Sequence, residues 1–193
     1  DHAGRARTLA DFRGKIVAIF FGYTHCPDVC PTTLSDFALA IRELGVDGKK
    51  VQVLFVTVDP ERDTPELLAK YVPSFNPDFL GMYTDSASLA TLAKDFKVVY
   101  QKNTQTGSKN YLIDHSAGTY VYDAQGQLRL HIPYGAGARD IAVVFDNVPN
   151  ALFLLSRTGE GVWRIVSANR TASELFGIAA GRLDPQIVKQ PGA

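Results

Sequence analysis

The chain is poor in sulfur. It has two cysteines and one methionine in 193 residues. Two cysteines cannot build a disulfide scaffold. Set four apart, at Cys26 and Cys30, they read as a working pair rather than a structural staple. An excess of charge of either sign is also missing: Lys plus Arg and Asp plus Glu number 20 each, and no basic run stands out. Nucleic-acid binding driven by phosphate neutralisation is therefore not expected. The longest apolar run near the start, Ile16–Phe21, falls far short of the ~20 residues of a membrane helix. No signal peptide is visible. The opening Asp1-His2-Ala3-Gly4-Arg5 reads as the middle of a hairpin, so an N-terminal strand, and any membrane anchor or export signal, is expected ahead of it. No internal repeat or low-complexity segment breaks the chain. What remains, 46% hydrophobic and 21% charged, is ordinary globular composition.

Periodicity supplies an element order. Ile16–Phe21 and Val51–Val58 are continuous β-prone runs that suit strands buried on both faces. Between them Leu34, Phe37, Ala38, Ile41 and Leu44 recur at helical spacing. Thr64-Pro65-Glu66 carries a hydroxyl cap, a proline and an acid in the order that starts a helix, running to about Phe75. Phe79–Tyr83 predicts a short strand, and Ser86 the cap of a helix through about Phe96. Lys97–Gln101 reads as extended and Lys102–Asn110 as an exposed loop. Tyr111–Asp114 and Thr119–Tyr122 are β-like, and Asp123–Gly126 turns into Gln127–Tyr134. A last helix begins near Asp140. The order β–α–β–α, an antiparallel hairpin and a helix describes an α/β mixed sheet covered on both sides, the order of the thioredoxin fold.

The chemistry gathers in His25-Cys26-Pro27-Asp28-Val29-Cys30-Pro31, between a buried strand and an amphipathic helix. Pro31 disfavours helical geometry at Cys30, placing that residue at or near the N-cap. Helix N–H groups and the dipole there favour a thiolate, so a lowered thiol pKa is expected. That serves both disulfide exchange and soft-metal binding. Three residues between the cysteines, instead of the two usual in thioredoxin-like reductases, could let both sulfurs face a common third object. Two thiolates suit copper(I), zinc or an iron–sulfur cluster; clusters and structural zinc want four ligands, whereas copper(I) is content with two or three. Of the four histidines, His2, His25, His115 and His131, His2 sits in a frayed start and His25 adjoins Cys26 too closely to converge easily on the same ion. His115, after the β-run Tyr111–Asp114, is the best third ligand by position. Plainer readings explain the same residues: a disulfide couple for the cysteines, a structural histidine beside Asp114, a turn residue at Asp28, and a capped strand-to-helix turn for Asp59–Pro65.

Phe21-Gly-Tyr-Thr-His-Cys-Pro-Asp-Val-Cys-Pro-Thr-Thr-Leu34 strongly resembles the signature of the Sco/SenC family of copper chaperones. Val58-Asp-Pro-Glu-Arg-Asp-Thr-Pro65 resembles its second block, Asp114-His115-Ser116 its third, and Leu9-Ala-Asp-Phe-Arg-Gly-Lys15 its lead-in. The resemblance implies a thioredoxin-like fold and copper held by Cys26, Cys30 and His115, with Asp28 tuning the thiols from beside them. It further implies service to the dinuclear copper site of cytochrome c oxidase. The expected location is the periplasmic side of a bacterial inner membrane or the mitochondrial intermembrane space, with the membrane reached only through an anchor outside this chain. The expected partner is the copper-site subunit of the oxidase or another copper or thiol protein. After about Val144 the character changes: Asn147–Leu155 and Ile165–Gly177 resemble the opening of a PAS sensory domain. Two units are therefore expected: a copper-binding domain over 1–146 and a partial PAS-like α+β extension over 147–193, in which a β-run, the Gly159-Glu160-Gly161 turn, a second β-run and a helix with Ala172, Leu175 and Phe176 follow one another. Two rival functions stay open, a thiol–disulfide oxidoreductase and a copper or redox sensor within a PAS-containing signalling protein.

Overall fold

The computed structural model describes residues 1–103 and 111–148 with their side chains, and the backbone of 153–157, 163–168 and 181–182. Strand β1 (Ile16–Gly22) and strand β2 (Val51–Thr57) are buried at every position, as their largely apolar, β-prone sequences lead one to expect; Gln52 and Thr57 are the buried polar exceptions. They pair in parallel, Ile16 with Val51 through Gly22 with Thr57. Helix α1 (Val29–Glu43) crosses between them. Helix α2 (Pro65–Tyr71) leads from β2 to the short parallel strand β3 (Leu80–Met82). Helix α3 (Ser86–Asp95) then leads to β4 (Tyr100–Asn103) and β5 (Leu112–His115), a two-stranded antiparallel hairpin outside the main sheet. Strands β6 (Thr119–Tyr122) and β7 (Leu128–Ile132) return to the main sheet, whose order is β3-β2-β1-β6-β7. Helix α4 (Ala138–Asn147) follows. Strands β8 (Phe153–Arg157), β9 (Trp163–Ala168) and β10 (Gly181–Arg182) form a separate antiparallel sheet. The loop tip at 104–110, the Gly159–Gly161 turn and the expected helix through Phe176 lie outside the described residues.

Strand alternation divides the core into two layers. Phe55 points toward α2, its ring 6.0 Å from that of Tyr71, while Phe37 of α1 stacks on Phe145 of α4 at 5.9 Å. On the opposite face Phe21 meets Phe96 at 5.3 Å, just beyond α3. Phe20, Phe21, Phe37, Phe55 and Phe145 are all nearly inaccessible to solvent, and each such burial contributes about 1.5–3 kcal/mol.

Three local expectations are corrected. Helix α1 begins at Val29, with Asp28 as N-cap: Cys30 lies near the cap as expected, but it is already helical despite the proline that follows it. Proline is tolerated at the third position because the first four helical N–H groups lack intrahelical partners anyway. Helix α3 is capped by Asp85, whose carboxylate accepts from the N–H groups of Ala87 and Ser88; Ser86 is its first residue. Finally, His2 is not frayed. Its N–H donates to the Gly81 carbonyl (2.7 Å) and its Nδ1 accepts from the Gly81 N–H (2.9 Å). These two bonds occupy the free edge of β3 that would otherwise offer unpaired backbone groups.

Candidate metal centre

Strand β1 ends at Gly22, and the thiol loop leaves it there. The close approach explains the glycine: a Cβ at position 22 would lie 2.8 Å from Cys30 Sγ and 2.8 Å from Phe55 Cε2. Cys30 is completely buried. Its backbone N–H donates to Cys26 Sγ at 3.4 Å, so the sulfur that meets the helix N-terminus is that of Cys26. This overturns the expected lowering of the Cys30 pKa. Burial pushes that thiol well above its ordinary value, and the neighbouring Cys26 and Asp63 push in the same direction. Both thiols are free, Cys26 being the half-exposed one.

His115 arrives from the last position of β5. Its ring is walled edge-on by Tyr23, centroids 5.8 Å apart, and by Phe20 at 6.2 Å. Nδ1 lies 3.1 Å from the Ser116 carbonyl. A ring donating there must carry its proton on Nδ1, which leaves the Nε2 lone pair free. That atom lies 3.4 Å from Cys30 Sγ. Burial lowers the His115 pKa and so favours the neutral, ligating form. One ligand atom each from Cys26, Cys30 and His115 lie within 4.8 Å of one another. Metal–sulfur and metal–nitrogen bonds of about 2.0–2.3 Å fit an ion among donors so spaced. Two soft sulfurs and one imidazole suit copper(I), which accepts three-coordination; zinc would need a fourth ligand.

The remaining candidates stand apart. His25 is half exposed, with Nδ1 3.0 Å from Thr24 Oγ1. His131 packs on the Tyr120 ring at 4.9 Å. Asp28 is exposed and accepts from the Thr32 hydroxyl at 3.3 Å; among the described residues it has no hydrogen bond to either sulfur. The residue that does brace the thiol loop is Asp63, which the capped-turn reading treated as purely local. Almost wholly buried, its carboxylate accepts from the Thr24 N–H (3.0 Å), the Thr24 hydroxyl (2.6 Å) and the Thr57 hydroxyl (2.6 Å). Tyr23 was also missed. Its hydroxyl accepts from the Ile113 N–H at 3.2 Å, tying the thiol loop to the histidine hairpin. Their places in the second and first signature blocks were the available signals for Asp63 and Tyr23.

The SCO1/SenC family model matches residues 1–148. The chain belongs to the SCO1/SenC family. It is 38% identical over 150 residues to the mitochondrial SCO2 homolog of Bos taurus, covering 77% of this chain and 55% of that protein. It thus spans about half the length of that curated relative. Among solved structures it resembles copper-bound ScoI of Bradyrhizobium japonicum, with 37% identity and a TM-score of 0.69 over 76% of this chain and 93% of that one. Copper-bound yeast Sco1 gives 30% identity and a TM-score of 0.69, over 77% and 84% of the two chains. The thioredoxin-like mixed sheet expected from the sequence is the fold shared with these proteins. A PAS-domain model matches residues 139–191, and its first residues coincide with α4.

Proposed function

We propose that this chain is a copper-binding metallochaperone that uses Cys26, Cys30 and His115 to carry one copper ion toward the dinuclear copper site of cytochrome c oxidase. The observation that carries the reading is the convergence of two thiols and one neutral imidazole within 4.8 Å. Copper in the Bradyrhizobium and yeast relatives supports it. Copper is the cargo: the soft sulfurs hold copper(I), and half-exposed Cys26 gives the side from which an acceptor thiol approaches. The copper-site subunit of the oxidase, or another copper or thiol protein, is the partner. The periplasmic side of a bacterial inner membrane is the location, or, as the bovine relative's name supports, mitochondria. The copper-binding unit spans 1–146, followed by the PAS-like extension 147–193.

A sensor role has one observation in its favour: the PAS match begins within α4, and α4 stacks on the helix that bears Cys30. A thiol–disulfide exchange role is disfavoured at Cys30, where burial raises the thiol pKa. Anaerobic titration of the reduced protein with copper(I), with thiols counted before and after, tests the proposal. One tightly held ion per chain is expected, lost in Cys26→Ala and Cys30→Ala and weakened in His115→Ala. Unchanged affinity in His115→Ala for both copper oxidation states would show that the ligand set is wrong.

A further inference from the structure

His115 rides on a hairpin of two four-residue strands outside the five-stranded sheet. Such a hairpin is marginal by itself, so the imidazole is placed by whatever anchors it. Tyr111, Ile113 and His115 alternate onto the inward face, Leu112 and Asp114 onto the outward one. Ile113 is buried and held by Tyr23. Tyr111 is held by the loop that follows β2: its hydroxyl donates to Asp59 Oδ1 at 2.7 Å, and the Arg62 guanidinium lies 3.6 Å above its ring centre. Arg62 Nε in turn donates to Asp59 Oδ2. Asp59 is completely buried, and its two oxygens are divided between Tyr111 and Arg62. Lys102, on the partner strand, pairs with Glu61 of the same loop. Two residues beyond Glu61, Asp63 grips Thr24 beside the thiols. One short loop therefore holds both ligand-bearing elements.

We propose that Asp59, Arg62 and Tyr111 form a latch that sets the His115 imidazole in register with the Cys26–Cys30 pair, making them positioning residues of the metal centre. The inference rests on the ligand set proposed above. Because Tyr111 and His115 share one strand face, releasing the Tyr111 hydroxyl frees the hairpin to shift along Asp59. The ring then no longer presents Nε2 at a fixed distance from the sulfur. Partners that orient metal ligands in this way are typically worth about 10–100-fold in metal affinity.

The test uses Tyr111→Phe, which removes one oxygen and keeps the ring beneath Arg62. Copper(I) affinity by competition with a chromophoric chelator should fall about 10-fold. In the copper-free protein, the imidazole nitrogen resonances of His115 should move and broaden. Tyr111→Phe added to His115→Ala should weaken binding no further than His115→Ala alone. Arg62→Lys, which keeps the charge but loses the planar stack, should act in the same direction and serves if Tyr111→Phe fails to fold. A Tyr111→Phe protein with lowered melting temperature but unchanged His115 resonances and copper affinity would reduce the latch to a structural tether and overturn the inference. So would equal weakening in the His115→Ala background. If His115→Ala itself leaves copper affinity intact, the ligand assignment fails instead, and the resonances of the copper-free protein still decide the latch.

Discussion

Gly22→Ala probes the centre without replacing any of the three proposed ligands. The added methyl would stand 2.8 Å from Cys30 Sγ, 2.8 Å from Phe55 Cε2 and 3.0 Å from Phe20 Cε1. Ordinary non-bonded contact is about 3.5–4.0 Å, so the sulfur or the rings must give by at least ~0.7 Å. Both phenylalanines belong to the innermost core, with no measurable exposure, and cannot swing aside. Overpacking of this kind costs about 1–3 kcal/mol, or roughly 2–12 °C in melting temperature for a protein of this size. The sulfur has the smaller resistance, because it is one polarizable terminal atom and not a close-packed ring. Metal–ligand distances tolerate only about 0.2 Å of error. A displaced Cys30 Sγ, now 3.4 Å from His115 Nε2, should therefore cost copper affinity at least ~10-fold beyond the loss of stability. Thermal melting and anaerobic copper competition on the same preparation separate the two effects. A variant that melts several degrees lower yet keeps wild-type affinity and thiolate-to-copper absorption would refute the placement of the Cys30 sulfur against Gly22.

Oxidising Cys26 and Cys30 to a disulfide should abolish copper uptake, since both sulfurs are consumed; copper binding after complete loss of titratable thiols would contradict the site. His2 accepts a hydrogen bond from Gly81 only when neutral, and burial lowers its pKa from 6.5. The unfolded chain therefore protonates first: stability is full above pH about 6.5 and declines as pH falls below it, levelling off under the folded-state value. His2→Ala should lower stability at neutral pH and flatten this acid slope, as read by urea unfolding across pH; an unchanged slope would exclude His2. Phe145→Ala should cost about 3–5 kcal/mol through the lost stack on Phe37, with copper affinity of the folded fraction retained. A chain ending after Val148, the buried C-cap of α4, should bind copper as the full chain does; loss of binding in a truncation still folded by circular dichroism would show that the later residues shape the site.

The two central strands were legible because burial on both faces leaves a nearly continuous apolar run, broken in β2 by Gln52. The thiol pair was legible as chemistry; His115 was singled out by position, but its spacing alone favoured a structural histidine and the resemblance tipped the reading toward a ligand. The misreadings share one physical origin: a local explanation was sufficient. Thr64 and Pro65 do start α2, with the Thr64 hydroxyl accepting from Leu67, so the acids before them seemed accounted for. Yet Asp63 reaches back 39 residues to Thr24 and Asp59 forward 52 residues to Tyr111. Cys30 misled in the same way. Its neighbour Pro31 marks a helix start, but the burial that raises the thiol pKa comes from β1 and β2 beneath it, and no feature of the local sequence reveals that burial.

Topology explains why these long reaches are short in space. β1 and β2 are parallel, with Gly22 opposite Thr57, so the thiol loop and the Asp59–Asp63 loop leave the sheet at the same end. β6 is antiparallel to β1, with Thr119 opposite Phe20, so the segment that brings His115 toward β6 enters at that end too. Sites of open α/β sheets form where strands release their carboxyl ends together, and here the two releases meet the entry to β6. The division of labour follows from which elements are anchored to the sheet. Cys26 and Cys30 are fixed by one loop and the first turn of a helix packed on β1. His115 stands on a hairpin tied down by side chains: Tyr23 of the thiol loop, and Asp59 and Arg62 of the loop that follows β2. Element periodicity can forecast the first kind of anchorage. The second is written in pairs of residues that meet only after folding, and the register of the imidazole therefore depends on them.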